Sequence, residues 1–270
     1  MRKLCLQAAA FALSCLPLVA GCTSVRVTVP LRPANAVTGS EFVHEVTGLS
    51  LDQREARILA EITRGNVPEF LRTCVLVRVW AGGHHGRFYC LPDYLSIGSD
   101  ADFIRMPMMP TTAQAIARRF GCVLPTRKMV DEIYAQAAVK LEPAPFSPGT
   151  YDITSVDVFW KSHLRIEEQR AGCPLGLLVA GIKKDVVITP QLAAHPGKVA
   201  IYGWHKPDGQ PIQPLYLGHT ERWVDYSQCI RLIAGMMDVD GKQMRVLDVL
   251  KSPELCSLLS DEGPFESPEP

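Results

Sequence analysis

The chain has no excess of either charge: 28 Lys and Arg stand against 28 Asp and Glu, a formal net charge of +0 at pH 7. A general nucleic-acid binder needs surplus cations to displace counterions from phosphate, and this chain has none. It also lacks the polar bias of a disordered acidic protein, since 47% of its 270 residues are hydrophobic, enough to fill the core of one large or two small domains. Beyond the N-terminus no apolar run is long enough to enter a bilayer, which excludes a polytopic membrane protein. There is no Cys-x-x-Cys pair, so zinc-ribbon and thioredoxin-type readings lose their main support. No internal repeat and no coiled-coil heptad pattern is present.

What is there begins with an address. Arg2 and Lys3 precede an apolar run from Leu4 to Ala20, followed by small residues: the cationic start, greasy centre and cleavage site of an export signal. The run ends Leu18-Val19-Ala20-Gly21-Cys22, which resembles the bacterial lipobox. The resemblance implies cleavage before Cys22, acylation of its thiol and amine, and membrane attachment through two or three acyl chains. Thr23 follows, with no Asp, which implies the periplasmic face of the outer membrane in a Gram-negative host. The mature chain would have 270 − 21 = 249 residues and a formal charge of (28 − 2) − 28 = −2, so lipid and not charge must do the tethering. Its remaining cysteines, Cys74, Cys90, Cys122, Cys173, Cys229 and Cys256, permit three disulfides in about 15 possible pairings. Cys74 lies in an apolar run, where a buried thiol is the simpler reading.

The mature chain reads as α+β, with a mostly antiparallel sheet and helices segregated toward the N-terminal half. Residues 22–48 read as a tether, 49–260 as one domain and 261–270 as a disordered acidic tail. Ser50 with Gln53 forms a capping box for a first helix, which Gly65 ends. Residues 74–91 read as a hairpin around a Gly/His turn, and short strands follow at 94–97 and 103–106. Thr111 with Gln114 is expected to cap a second helix, Thr126 a third, and a fourth covers Val156 to about Gly172. Strands are expected at 177–180, 185–188, 199–204, 213–217, 223–226 and 230–233. Asp240-Gly241 marks a hairpin turn, and Ser252-Pro253 a last short helix.

Chemistry-bearing residue types are densest between Lys183 and Arg231. Thiol catalysis needs a cysteine, a histidine to take its proton and an acid to orient the imidazole. Cys229 is the candidate nucleophile, His205 and His219 the candidate bases, and Asp225 the orienting acid. Tyr202, Trp204, Tyr226, Arg231, Lys184 and Asp185 are the candidates for substrate binding, the aromatics as a platform for a sugar ring. Other signals are weaker. His84-His85 lacks a spaced third ligand, and Asp100-Ala101-Asp102 and Asp238-Val239-Asp240-Gly241 lack the later acid of a calcium loop. Lys128 and Asp131, three apart on the third helix, could point into a cleft, though a solvated ion pair is the simpler reading. No cofactor or metal is called for.

Ser227-Gln228-Cys229-Ile230-Arg231-Leu232 resembles the Ser-His-Gly-Cys-Ile-Arg-Leu signature of L,D-transpeptidases, enzymes that remodel peptidoglycan through a cysteine. The likeness covers about 30 residues, and Gln228 stands where that signature has His-Gly. Residues 49–262 resemble an uncharacterised group of secreted bacterial proteins. The shared pieces are Gly65-Asn66-Val67-Pro68, Pro92-Asp93-Tyr94-Leu95, Ile97-Gly98-Ser99-Asp100, Leu124–Asp131, Lys183-Lys184-Asp185, Tyr202-Gly203-Trp204-His205 and Asp225-Tyr226-Ser227. The last motif of that group continues His-Gly where this chain has Gln228-Cys229, which implies an inactive paralogue if that histidine is catalytic. Two functions are therefore expected: a lipid-anchored hydrolase or transferase acting on peptidoglycan or another extracytoplasmic polymer, or a non-catalytic lipoprotein binding a glycan, peptide or partner protein.

Overall fold

A computed structural model describes residues 25–147 and 149–266. The export signal and Cys22 lie outside the described residues. In chain order the elements are α1 (Gly39–Val46), α2 (Leu51–Thr63), β1 (Val75–Ala81), β2 (His84–Cys90), β3 (Ser96–Gly98), β4 (Phe103–Arg105), α3 (Pro110–Arg119), β5 (Cys122–Val123), α4 (Arg127–Gln136) and β6 (Val139–Lys140). They continue with α5 (Val156–Arg170), β7 (Val179–Ala180), β8 (Lys184–Val187), β9 (Ala200–His205), β10 (Pro211–Tyr216), β11 (Gln228–Cys229), β12 (Ile233–Ala234), β13 (Met236–Val239), β14 (Lys242–Arg245) and α6 (Val246–Lys251). The fold is α+β and mostly antiparallel, with α1–α5 all before residue 171.

One sheet is centred on β2, which pairs with β1 on one side and with β12 and β13 on the other; β5 and β14 extend it. The second sheet runs β10-β9-β8-β11, antiparallel except for the β8–β11 pair. A continuous apolar core, including Phe42, Ile58, Phe88, Ile116, Phe159 and Ile201, joins both sheets to α1–α5. Among the described residues no helix is long and apolar enough to cross a membrane.

The local signals explain most of these elements. Ser50 and Gln53 exchange both capping bonds of α2, and the Thr126 hydroxyl accepts the Met129 amide at the start of α4. The turns of the β1–β2 and β13–β14 hairpins, Gly82-Gly83 and Asp240-Gly241, each place two successive residues at positive φ, as a tight right-twisting hairpin requires.

Several boundaries are corrected. Residues 25–48, expected as a tether, pack on the domain: Thr38 and Glu41 form a capping box for α1, which buries Phe42 and Val46 completely. The apolar i, i+4 pair was hidden in a stretch whose Val, Pro and Thr content suggested a linker. The tail is also docked as far as it is described, since Phe265 is buried and donates its amide to Leu250. α3 starts at Pro110, which needs no amide partner, so Thr111 is not its cap. The 223–226 segment forms no strand, while the short helix expected after Ser252 is a Ser252-capped turn leading into a 3-10 helix at Cys256–Leu258. The six described cysteines past residue 25 are all free thiols.

Candidate functional site: a carboxylate at the floor of an open groove

Strand β8 separates the candidate residues into two groups. Lys184 lies opposite Gly203 and Gln228, and Asp185 opposite Tyr202 and Cys229. Successive side chains of a strand face opposite sides, so Asp185, Tyr202 and Cys229 share one face while Lys184 and Gln228 share the other. The alternation then breaks at Gly203 and Trp204, both at positive φ (108° and 60°). This kink brings His205 round to the face of Tyr202. His205 Nε2 and the Tyr202 hydroxyl each lie 2.8 Å from Oδ1 of Asp131 on α4.

Asp131 is the reachable member of this trio. Its side chain is 47% exposed, whereas that of His205 is 3% exposed and its ring stacks on Tyr134 at 4.5 Å. With Oδ1 engaged by His205 and Tyr202, Oδ2 has no partner among the described residues, and Asp131 lines an open groove of about 580 Å3. Lys140, Asp208 and Gln210 line its margin. The expected ion pair with Lys128 does not form, because the Lys128 ammonium donates to the carbonyl of Ser257.

Behind the trio lies a buried polar centre. A cavity of about 10 Å3, room for a single water, is bounded by Tyr94, Lys183, Asp185, His205 and Arg231. Asp185 accepts from the Tyr94 hydroxyl at 2.9 Å through Oδ2, while Oδ1 is buried and unpartnered, 4.0 Å from Arg231 Nε. Burial pushes the Asp185 carboxyl up to about 6, against the pull of Arg231. Burial likewise pushes the Lys183 ammonium down to about 8, where it donates to Ser162 Oγ at 2.8 Å and to the Tyr226 carbonyl. Arg231 donates to the carbonyls of Leu91 and Val179 at 2.8 and 2.7 Å and is 1% exposed, so it ties strands together and does not meet a substrate.

Cys229 does not join a catalytic triad. It is fully buried among Tyr94, Val139, Ile166, Val179 and Ile182. Burial pushes its thiol up to about 11 despite the Lys183 cation nearby. A sealed thiol that stays protonated is no nucleophile.

His219 belongs to the other group. Its ring stacks on Trp223 at 4.6 Å and meets the edge of Tyr216 at 5.1 Å. Asp225 accepts from the Ser227 amide at 2.7 Å, its hydroxyl at 2.5 Å and Trp223 Nε1 at 3.1 Å. Burial alone would raise the Asp225 carboxyl, but Lys184, 3.9 Å away, and these donors hold it below the usual range. Lys184 also lies 5.4 Å from the centre of the Trp204 ring, and Tyr226 is buried with its hydroxyl accepting the Phe146 amide at 2.9 Å. Asp225 therefore shapes a turn and orients neither histidine. Two buried groups remain without partners here, Trp204 Nε1 and Gln228 Oε1. Among the described residues no cluster of three His, Cys, Asp or Glu could hold a metal ion.

Two residues now central, Lys183 and Tyr94, are not among the site candidates of the sequence, and Asp131, which with Lys128 could point into a cleft, is read there as half of an ion pair. The alternation of β8 could have singled out Lys183 and Asp185 together as inward-facing, but no local pattern pairs Asp131 with residues more than 70 positions away. No family model, curated protein or solved structure matches the chain.

Proposed function

We propose that this chain is a lipid-anchored cell-envelope protein that binds the end of an extracytoplasmic polymer, a glycan or peptide such as a peptidoglycan fragment, in the Asp131 groove without cleaving it. The observation that carries this reading is the split use of the Asp131 carboxylate. One oxygen is held rigid by His205 and Tyr202, and the other is left for a donor from a ligand. A fixed carboxylate recognises sugar hydroxyls or an ammonium group through charge-assisted bonds, each worth about 1.5–3 kcal/mol. The burial of Cys229 argues against the thiol mechanism that its sequence context suggests.

Titration calorimetry with soluble muropeptides tests the reading. Saturable binding is expected, weakened at least about tenfold by Asp131→Asn. Equal affinity in the variant, or no binding by the folded protein, overturns it. Turnover of the fragments during the titration would replace it with the hydrolase or transferase reading.

A further inference from the structure

The Asp131 groove and the small polar cavity behind it share a wall, since His205 and Tyr134 line both. We propose that one internal water occupies the cavity and joins His205 to Asp185, so that this buried carboxylate positions, and by its proton regulates, the imidazole that holds Asp131. The effect on ligand affinity rests on the binding role proposed for the groove, whereas the water and its partners are observable without a ligand.

Asp185 is 2% exposed, and its Oδ1 is buried without a protein partner, 4.0 Å from Arg231 Nε. That gap is too long for a hydrogen bond. It suits two atoms that share a water, each about 2.8 Å from it and about 4–5 Å from one another. The Nη atoms of Arg231 are spent on the Leu91 and Val179 carbonyls, which leaves Nε as its donor. On the other side of the cavity, His205 Nε2 lies 2.8 Å from Asp131 Oδ1, and Nδ1 has no partner among the described residues. An ionised Asp131 only accepts, so Nε2 carries the hydrogen and Nδ1 is left as an acceptor. The count then closes. The water accepts from Arg231 Nε and donates to Asp185 Oδ1 and His205 Nδ1, three bonds, as a buried water commonly makes. Lys183 does not compete for it, because its ammonium donates to Ser162 Oγ and the Tyr226 carbonyl.

The same link carries charge toward the groove. Around Asp185 stand Tyr94 from the segment after β2, Cys90 of β2, His205 of β9, Cys229 of β11 and Arg231, with Tyr134 of α4 closing the cavity. Arg231 keeps its charge beside Tyr94 and Asp185. Burial holds the Tyr94 hydroxyl well above its ordinary range, raises that of Tyr134, and pushes the Cys90 and Cys229 thiols up to about 12 and about 11. A proton taken up in mild acid therefore goes to the unit of Asp185, water and His205, and burial readies Asp185 to take it at about 6. One more positive charge behind Asp131 offsets that carboxylate, whichever end of the unit holds the proton. The groove then loses part of its hold on an ammonium group.

Soluble muropeptides with a free amino group are the probe, titrated into the full chain by calorimetry at pH 7.5 and 5.0. On acidification the wild type should lose affinity at least about fivefold, and Asp185→Asn, which accepts from Tyr94 but takes up no proton, less than about twofold. An equal loss in both proteins overturns the regulation. Two readings on the ligand-free wild type decide the link itself, even if Asp185→Asn fails to fold. A crystal structure should show one water within hydrogen-bond distance of Asp185 Oδ1, Arg231 Nε and His205 Nδ1. Nitrogen-15 spectra of the histidine-labelled chain at pH 7.5 should show the His205 hydrogen on Nε2, with Nδ1 accepting a hydrogen bond. A dry cavity, or a hydrogen on Nδ1, overturns the proposal. If water and hydrogen are found as expected while muropeptides bind at neither pH, the ligand assigned to the groove is wrong and the positioning of His205 by Asp185 stands.

Discussion

Arg105 and Asp93 meet fork to fork in the interior, Nε to Oδ1 at 2.9 Å and Nη2 to Oδ2 at 2.6 Å, with side chains 0% and 3% exposed. The same guanidinium reaches Glu167 at 2.7 Å and the His163 ring at 3.2 Å, so β4 and α5 are pinned to the loop after β2. Burial lowers the affinity of His163 for a proton, and the Arg105 cation lowers it further, which keeps the imidazole neutral beside arginine.

Removing one partner of a buried pair strands the other charge. Arg105→Met should therefore destabilise the protein by about 3–5 kcal/mol, far more than the loss of a surface pair. Urea unfolding measures it. A loss below about 1 kcal/mol would mean the pair is not sealed from water.

Asp185 gives the protein a defined response to mild acid. Its carboxyl ionises at about 6 in the fold, against an ordinary value of 3.8. Between these values the folded state binds a proton that the unfolded chain has released, so this residue's contribution falls as pH rises from about 4 to 6. Asp185→Asn keeps an acceptor for Tyr94 and removes the titration. The variant should lose that downward component, gaining on the wild type as pH rises through the window. Parallel stability curves for the two proteins from pH 4 to 7 would refute the assignment.

The sequence was most legible where one short stretch carries the whole physical cause. Ser50 with Gln53, Thr126, Gly82-Gly83 and Asp240-Gly241 each satisfy or permit a local backbone geometry. It was least legible where contacts join distant segments. Cys229 and His205 looked like partners because both are rich in chemistry and near in sequence, yet Tyr94, Val139, Ile166, Val179 and Ile182, brought in from other elements, seal Cys229 in hydrocarbon. Asp131 looked like half of a surface ion pair, because helix spacing shows Lys128 but cannot show Tyr202.

The same burial governs thiol chemistry. Cys74, Cys90 and Cys122 are buried, and desolvation pushes each thiol up to about 12. Cys173 is the most exposed of the six described cysteines. A chain beginning at residue 25 should therefore release one equivalent of thiol quickly to a disulfide reagent at pH 8, and the other five only on unfolding. Fast labelling of Cys229, read by peptide mass, would contradict the packing around it.

Membrane attachment is proposed to rest on Cys22 alone, since a chain cut before Cys22 would carry a formal charge of −2 and offer no pull toward anionic lipid. Expressed with its own N-terminus in a bacterial host, the protein should partition with membranes and incorporate labelled palmitate. Cys22→Ser should lose the label and leave the membrane fraction. A variant that stays membrane-bound without label would place the anchor elsewhere.

Gly203 links the backbone to the groove. At φ 108° a side chain is strained, and a Cβ there would sit 3.2 Å from Val130 Cγ1 on the helix that carries Asp131. Straightening of β9 to relieve the φ strain, or an outward shift of Val130 that carries α4 with it, separates His205 or Tyr202 from Asp131 Oδ1. Gly203→Ala should thus cost about 1–3 kcal/mol of stability and also weaken groove binding. Tyr202→Phe removes one of the two donors without touching the backbone, so it should weaken binding with a smaller loss of stability. If Gly203→Ala lowers the melting temperature but leaves muropeptide affinity intact, the kink serves folding alone and the Asp131 geometry does not depend on it.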